Sequence, residues 1–231
     1  MQPVKSDIWL SSLLGRETFH LSGNFSNLNL EVFPQRAFLD AKAGVENVEA
    51  TTQLQNCGFR LIDTNVQLIR AAKPFRDYSN RCRFATPSDE NAIRSIARSS
   101  FSRTRFHLDP LIPTETANLI KEEWAANYFK GSRGEWMVVA EEDNKIVAFL
   151  QLLKKNQSTL VIDLIAVDQS SQRRGYAGAM ISFAYNFCTS NEPEMIVGTQ
   201  ISNINSLGVY INLGFRITSA QYVFHWHKNG I

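Results

Sequence analysis

In the second half of the chain, the spacing of apolar positions predicts a series of strands and helices. Three strand-like runs come first, EWMVVAEE, KIVAFLQLL and STLVIDLIAV, with the turn signal Asp143-Asn144 between the first two. The apolar residues that follow are spaced by three and four positions, which predicts an amphipathic helix: Ala177, Met180, Ile181, Ala184, Tyr185 and Cys188. EMIVGTQ then predicts a strand, 203–213 a helix that stops at Gly214, and FRITSAQYVFHWH a closing strand.

Two helices are predicted before these strands. The first begins with Thr86 as the N-cap and Pro87 at the first helical position, after the strand-like RCRFAT. The second runs over about 113–127. The order over 82–231 is then β-α-α-β-β-β-α-β-α-β, which predicts an α/β protein with a mixed sheet and helices on its faces.

Residues 1–75 are predicted to form a separate, smaller unit, with a boundary near Lys73-Pro74. Part of this unit, 41–68, resembles 197–224 at a constant offset of 156 positions. The matches are Asn47 with Asn203, Asn56 with Asn212, and Gly58-Phe59-Arg60 with Gly214-Phe215-Arg216. Any helix that ends in Gly before a strand would look similar, but these matches share one register without gaps. We therefore interpret 1–75 as a degenerate half-copy that has lost chemistry and shapes a substrate wall.

Composition and charge exclude several classes of protein. Among 231 residues, 44% are hydrophobic and 20% charged, which predicts a packed globular core. The formal charge of +2 argues against nucleic acid or an anionic membrane as the main partner. No apolar run reaches the roughly 18 residues of a membrane span, and the N-terminus lacks a cleavage site, so we expect a cytoplasmic protein. Cys57, Cys82 and Cys188 form neither a disulfide framework nor a zinc pattern.

The segment VIDLIAVDQSSQRRGYAGAMI carries the strongest chemical signal. A buried strand leads into a turn with small residues at 175, 177 and 178, and then into a helix. Small residues let backbone N–H groups approach an anion, and the helix N-terminus adds free donors and partial positive charge. Arg173 and Arg174 strengthen this field. The turn lacks the GK[ST] of a P-loop, so the pattern favours a pyrophosphate site of another type.

A second motif lies about 30 residues later, where Asn203 and Tyr210 fall two helical turns apart on one face. Together the two motifs resemble the GNAT acyl-CoA N-acetyltransferase superfamily over about 82–231. Its loop pattern Q/R-x-x-G-x-G/A is matched by Gln172, Gly175 and Ala177, and its N…A…Y…GF helix by Asn203, Ser206, Tyr210 and Gly214-Phe215. The departures are mild, with Ala replacing Gly in the loop and Ser replacing Ala in the helix. The resemblance implies a GNAT fold, with 1–75 as a partial GNAT-like domain.

The resemblance also implies acetyl-CoA as co-substrate and a role for each matched residue. The pyrophosphate would lie on Gln172, Arg173, Arg174, Gly175, Tyr176, Ala177 and Gly178. The pantetheine would pair with the backbone of Leu164, Ile165, Ala166 and Val167, where one N–H would polarise the thioester carbonyl. Asn203 would contact the cofactor, and Tyr210 would donate its proton to the departing thiolate. The alternative for Tyr210 is an ordinary core residue. No metal is implied.

Three further stretches resemble one GNAT subgroup, the dTDP-fucosamine acetyltransferases, which acetylate the 4-amino group of a nucleotide-linked deoxysugar. They are 9–16, 54–68 and 101–110, the last followed by a helix with Trp124 and Asn127. The resemblance implies a small-molecule amine acceptor, an amino-sugar nucleotide, and a role in polysaccharide biosynthesis. A homodimer is compatible with it. A protein N-terminus, a polyamine, an aminoglycoside and a non-catalytic acetyl-CoA-binding module remain alternatives.

Candidate acceptor residues precede the second helix and follow the first Gly-Phe pair. Arg98, Arg103, Arg105 and His107 could bind a nucleotide diphosphate, or could be ordinary solvated surface. Asp63 could orient or deprotonate the sugar ammonium, or could be an ordinary strand-end carboxylate.

His225 and His227 alternate with Trp226 in the last strand. Two histidines at this spacing could share a metal, but the sequence suggests no third ligand. Packing on one face of the strand is therefore the preferred interpretation.

Overall fold

The computed structural model describes residues 4–73, 75, 81–188 and 193–228. Six helices lie in these ranges: α1 (Ile8–Leu14), α2 (Val48–Asn56), α3 (Glu90–Ser100), α4 (Thr114–Phe129), α5 (Tyr176–Phe187) and α6 (Ile204–Asn212). The strands are β1 (Val4–Ser6), β2 (Glu17–Leu21), β3 (Ala37–Gly44), β4 (Arg60–Arg70), β5 (Cys82–Phe84), β6 (Trp136–Glu142), β7 (Lys145–Asn156), β8 (Thr159–Val167), β9 (Glu194–Gln200) and β10 (Arg216–His227). The element order predicted from residue 82 onwards agrees with the structure.

All ten described strands belong to one mixed sheet, in the order β1-β2-β3-β10-β4-β9-β8-β7-β6-β5. Strand β4 lies between β9 and β10, so the segments before and after the predicted boundary contribute neighbouring strands. Pro74 at that boundary lies outside the described residues. The division into 1–75 and 82–231 stays a prediction, whereas the predicted mixed α/β sheet is confirmed.

Local sequence signals account for two well-defined boundaries. The carboxylate of Asp89 accepts hydrogen bonds from the Thr86 N–H (2.7 Å) and hydroxyl (3.0 Å), which fixes the start of the helical segment. A 3-10 turn over Pro87–Asp89 precedes α3. Between β6 and β7, Asp143 and Asn144 both have positive φ, 50° and 60°, which matches a type I′ hairpin turn.

The two helices predicted to be related, α2 and α6, begin and end in the same way. Asn47 accepts a hydrogen bond from the Ala50 N–H (3.0 Å), and Asn203 accepts one from the Ser206 N–H (3.4 Å). After the helices, Gly58 and Gly214 have φ of 83° and 86°, a conformation that favours glycine. The local geometry is therefore shared at both ends.

The strands around these helices also correspond. In β10 and β3, Phe224 pairs with Ala41; in β4 and β9, the equivalent Leu68 pairs with Val197. The central β4–β10 pair is symmetric under the same offset of 156, with Ile69 opposite Arg216 and Arg60 opposite His225. Each segment therefore pairs its last strand with the first strand of the other segment. This pairing supports the interpretation of an internal repeat.

Strands β6 to β8 are covered on both faces. Met180, Ile181 and Ala184 of α5 pack in one apolar cluster, and Ile93 of α3 with Ala125 of α4 pack in another. Alternate residues of the strands, such as Val138 and Val139, face the two clusters. Within the described ranges, no helix is both long and apolar enough to cross a bilayer.

Candidate active site

Strand β8 separates from β9 part-way along its length. Their parallel pairing runs from Thr159 to Ile162, whereas β7 stays paired with β8 as far as Val167. The pairing between β7 and β8 is irregular at Asp163, where β8 carries one extra residue. The backbone beyond the bulge therefore turns an open edge towards a cavity of about 800 Å³. This edge consists of Leu164, Ile165, Ala166 and Val167, all of which line the cavity as the sequence predicts.

The glycine-rich loop closes one end of this cavity. Arg173 and Gly175 have φ of 65° and 83°, and α5 begins immediately afterwards. The N–H of Ala179 bonds to the Gly175 carbonyl (3.0 Å), and the helical N–H groups before it have no intrahelical partner. Six of the seven predicted loop residues line the cavity: Gln172, Arg173, Gly175, Tyr176, Ala177 and Gly178.

The side chains of Arg174 and Tyr176 make contacts elsewhere and do not contribute to an anion site in the loop. The Arg174 guanidinium pairs with Glu142 (2.7 Å) and is absent from the cavity lining. The Tyr176 side chain is 3% exposed in an apolar cluster. Burial, and then a hydrogen bond with Glu142, raise the pKa of its phenol. Tyr176 can therefore serve an anion through its backbone N–H only.

Tyr210 and Asn203 bound the cavity from α6. The Tyr210 ring is 4% exposed and packs beside Phe215, with ring centroids 5.5 Å apart. Burial raises the pKa of its hydroxyl, which keeps the phenol protonated. Asn203 also lines the cavity, although its side-chain oxygen caps α6 and its amide nitrogen contacts Thr199 Oγ1 (3.5 Å). Tyr210 and Asn203 therefore line the same cavity as the open edge of β8.

Beyond this edge, the cavity continues as a trough across the face of the sheet. Its floor includes Gly198 of β9, Asn65 of β4, Val223 of β10 and Lys42 of β3, and its wall is the segment 100–106. The cavity therefore has room for a cofactor arm at one end and a second, elongated molecule at the other.

The predicted cationic cluster is divided between the trough and the surface. Arg103 lines the trough and donates to the Ser202 carbonyl (2.9 Å). Arg105 also lines it and forms an ion pair with the buried Asp40. Arg98 instead forms ion pairs on the helix surface, with Glu115 at 2.9 Å and Glu122 at 2.7 Å.

His107 and Asp63 lie outside the cavity lining. His107 is hydrogen-bonded to the Thr104 hydroxyl (2.7 Å) and to Asn118 (3.0 Å), and burial lowers its pKa. Asp63 accepts hydrogen bonds from the Ser202 hydroxyl (2.8 Å) and the Thr64 N–H (2.6 Å). Substrate contact by His107 and Asp63 stays a prediction, because neither side chain lines the cavity.

A second group joins Trp124 to Asp163 and Arg133, and of these three residues the sequence analysis singled out Trp124 alone. Trp124 donates its indole N–H to Asp163 (2.8 Å), and Arg133 forms an ion pair with the same carboxylate (2.5 Å). These contacts hold the bulged residue of β8 and the aromatic wall together. One sequence signal could have identified this group, namely the single carboxylate of Asp163 inside the apolar run VIDLIAV. A charge in such a run is expected to be buried, and a buried charge requires partners.

His225 and His227 share a buried carboxylate. Both rings are hydrogen-bonded to Asp109, at 2.7 and 2.8 Å, and Arg16 contacts the other nitrogen of His227 (2.9 Å). The sequence suggested no third ligand, but Asp109 forms with them a group of three within 4.8 Å. The sequence analysis missed Asp109 because 116 residues separate it from His225. The side chains are already paired, and burial lowers the pKa of His225 to about 4.

Residues 98–228 match the family described as acetyltransferase (GNAT) domain. This chain belongs to the GNAT acetyltransferase family. The match spans more than half of the chain and includes β8, the loop, α5 and α6, the elements that bound the cavity. The predicted GNAT membership and fold class are therefore confirmed.

One curated relative and two solved structures are similar to the chain. The Bacillus subtilis (strain 168) spore coat polysaccharide biosynthesis protein SpsD is 30% identical over 145 residues, 60% of this chain and 48% of that protein. The chain therefore spans about half the length of this relative. A conserved protein of unknown function from Staphylococcus epidermidis ATCC 12228 has a TM-score of 0.64 at 16% identity, covering 94% of this chain and 88% of that one. A GCN5-related N-acetyltransferase from Sphaerobacter thermophilus also has a TM-score of 0.64, at 12% identity, covering 99% and 78%. At these identities the two structures show the shared fold.

Proposed function

We propose that this chain is an acetyl-CoA-dependent N-acetyltransferase that acetylates the amino group of a nucleotide-linked amino-deoxysugar. The observation that carries the proposal is one continuous cavity. It joins loop 172–178, an open strand edge, a buried tyrosine and a trough with basic side chains. The similarity to a protein named for spore coat polysaccharide biosynthesis supports the acceptor class.

The cofactor half of the cavity can bind acetyl-CoA through backbone groups. N–H groups at the start of α5 would bind the pyrophosphate, assisted by the exposed Arg173. The open edge over 164–167 would pair with the pantetheine as an additional strand does. One N–H of this edge would donate to the thioester oxygen as negative charge develops there.

The chemical step transfers the acetyl group directly to the acceptor. A neutral amine attacks the thioester carbon, the C–N bond forms, and the C–S bond breaks. The Tyr210 hydroxyl, kept protonated by burial, donates its proton to the departing thiolate. The nitrogen loses its own proton to water in the trough or to a nearby side chain.

The trough suits an acceptor that carries negative charge as well as an amine. Lys42, Arg103, Arg105 and Lys121 all line the cavity. Among the described residues that line the cavity, the one carboxylate is that of Asp163, which is already paired with Arg133. Polycationic acceptors such as spermidine or an aminoglycoside would meet like charge there, which disfavours their binding.

The test is release of free CoA thiol from acetyl-CoA across a panel of amines. The panel contains dTDP- and UDP-linked 4-amino and 3-amino deoxysugars, a peptide with a free N-terminus, spermidine and an aminoglycoside. We expect turnover with an amino-sugar nucleotide alone. Turnover with the peptide or a polyamine would overturn the acceptor class. Intact acetyl-CoA binding without any turnover would overturn the catalytic role.

A further inference from the structure

Lys121 is a buried cation whose ammonium group lies beside two aromatic rings. It lies on α4, is 8% exposed and lines the trough. Its ammonium group lies 4.4 Å from the centroid of the Trp124 ring and 5.2 Å from that of Phe101. Among the residues that the structure describes, none forms a hydrogen bond or ion pair with it. Aromatic faces attract a cation but do not replace the hydrogen bonds lost with water.

Two more basic side chains share this part of the trough. Arg105 is close enough to both Lys42 and Lys121 that its charge acts on each of them. Burial, and then the charge of Arg105, lower the pKa of Lys121 to about 8. The same two causes, in the same order, lower the pKa of Lys42. At both lysines burial is the larger cause, and repulsion from Arg105 outweighs the attraction of a carboxylate, which is Asp163 for Lys121 and Asp40 for Lys42.

The neighbouring carboxylates do not neutralise this region. Asp40 is paired with Arg105 and with His20 (2.8 Å), and Asp163 is paired with Arg133 (2.5 Å). The ion pair with Asp40 also fixes the Arg105 guanidinium at the edge of the trough. In the part of the chain that the structure describes, neither carboxylate forms an ion pair with Lys42 or Lys121.

We propose that Lys42, Arg105 and Lys121 form the binding site for the diphosphate of the acceptor. This inference rests on the proposed function and adds to it a second phosphate site, separate from loop 172–178. A sugar nucleotide carries two negative charges on its diphosphate, with several oxygens that can accept from three cations at once. A single carboxylate would leave most of this charge unpaired. The diphosphate would thus be held in the trough, with the amino sugar free to reach the thioester.

The test is a calorimetric titration with dTDP, UDP, inorganic pyrophosphate and thymidine, in the presence of saturating CoA. CoA fills loop 172–178, so any diphosphate that binds must use another site. We expect dTDP, UDP and pyrophosphate to bind the wild-type protein, and thymidine to bind at least tenfold more weakly than dTDP. Lys42→Met and Lys121→Met should each weaken dTDP binding at least tenfold, whereas Lys121→Arg should retain most of it. Lys155→Met, which changes an exposed lysine of β7, is the matched control.

Three outcomes would overturn the site. The first is a wild-type protein that turns over an amine but binds none of the three diphosphates. The second is Lys121→Met that binds dTDP like wild type but loses kcat with a changed pH profile, which would assign Lys121 to the amine. The third is equal weakening by Lys155→Met. Lys42→Met changes a second residue of the same site and preserves a readout if Lys121→Met does not fold. Failure to bind acetyl-CoA would instead overturn the proposed function.

Discussion

Leu54 and Tyr210 occupy equivalent positions in two helices that end with the same hydrogen bond. The Phe59 N–H donates to the Leu54 carbonyl and the Phe215 N–H to the Tyr210 carbonyl, each at 3.0 Å. Leu54 is fully buried in an apolar cluster, whereas Tyr210 faces the cavity. One local fold thus serves packing in the first segment and, under the proposed function, chemistry in the second.

Tyr210→Phe should reduce kcat with little change in the affinity for acetyl-CoA. The ring and its packing against Phe215 would remain, but the proton donor for the thiolate would be lost. General acid catalysis contributes roughly 10²–10⁴-fold, so we expect a decrease of about 10²-fold in CoA release. Tyr222→Phe, on β10 in the apolar cluster of the first segment, is the control and should retain wild-type turnover. Unchanged kcat in Tyr210→Phe would remove this residue from the mechanism.

The equivalence of the two helix caps allows a paired experiment. Asn47→Ala and Asn203→Ala each remove a side-chain acceptor for the third residue of the helix, Ala50 and Ser206. Each should lower the free energy of unfolding by about 1 kcal/mol in urea titrations. Only Asn203→Ala should also weaken acetyl-CoA binding, because only Asn203 lines the cavity. Equal affinity in the two variants would limit Asn203 to capping.

Gly175→Ala tests the pyrophosphate loop against a matched glycine. Gly175 and Gly131 have φ of 83° and 66°, and an added Cβ meets nothing within 4 Å at either position. Each substitution should therefore cost about 1–2 kcal/mol of stability through backbone strain alone. We expect Gly175→Ala to raise the Kd for acetyl-CoA at least tenfold in calorimetry, and Gly131→Ala, after α4, to leave it unchanged. A similar Kd in both variants would contradict the loop assignment.

Much of the cofactor half was predictable because its signals are local. The spacing of apolar residues locates α5 and α6, and the small residues at 175, 177 and 178 indicate the loop that precedes α5. The position of β4 between β9 and β10 was not predictable, because periodicity describes a strand but not its neighbours. The trough depends on that arrangement. The positions of Lys121 and Asp163 in the trough therefore depend on contacts between segments that are distant in the sequence.

His20 should make the protein less stable as the pH rises above about 6.5. Its ring is hydrogen-bonded to Asp40 (2.8 Å) and Asp7 (2.9 Å), and the bond to Asp40 is the main cause that raises its pKa. A raised folded-state pKa stabilises the protein fully below the unfolded value of roughly 6.5, and this stabilisation is lost as the pH rises through the folded pKa. Because the His20 side chain is about one third exposed (32%), we expect this stabilisation to be about 1 kcal/mol at most.

The measurement compares His20→Gln with wild type in urea titrations from pH 5.5 to 8.5. The destabilisation caused by His20→Gln should be greatest at the acidic end and should shrink as the pH rises. His107→Gln is the control of opposite sign, because burial lowers the pKa of His107. A depressed histidine pKa destabilises the fold as the pH falls below the unfolded value, so the cost of His107→Gln should grow with rising pH. Parallel pH profiles for the two variants would show that the Asp40 hydrogen bond does not control the titration of His20.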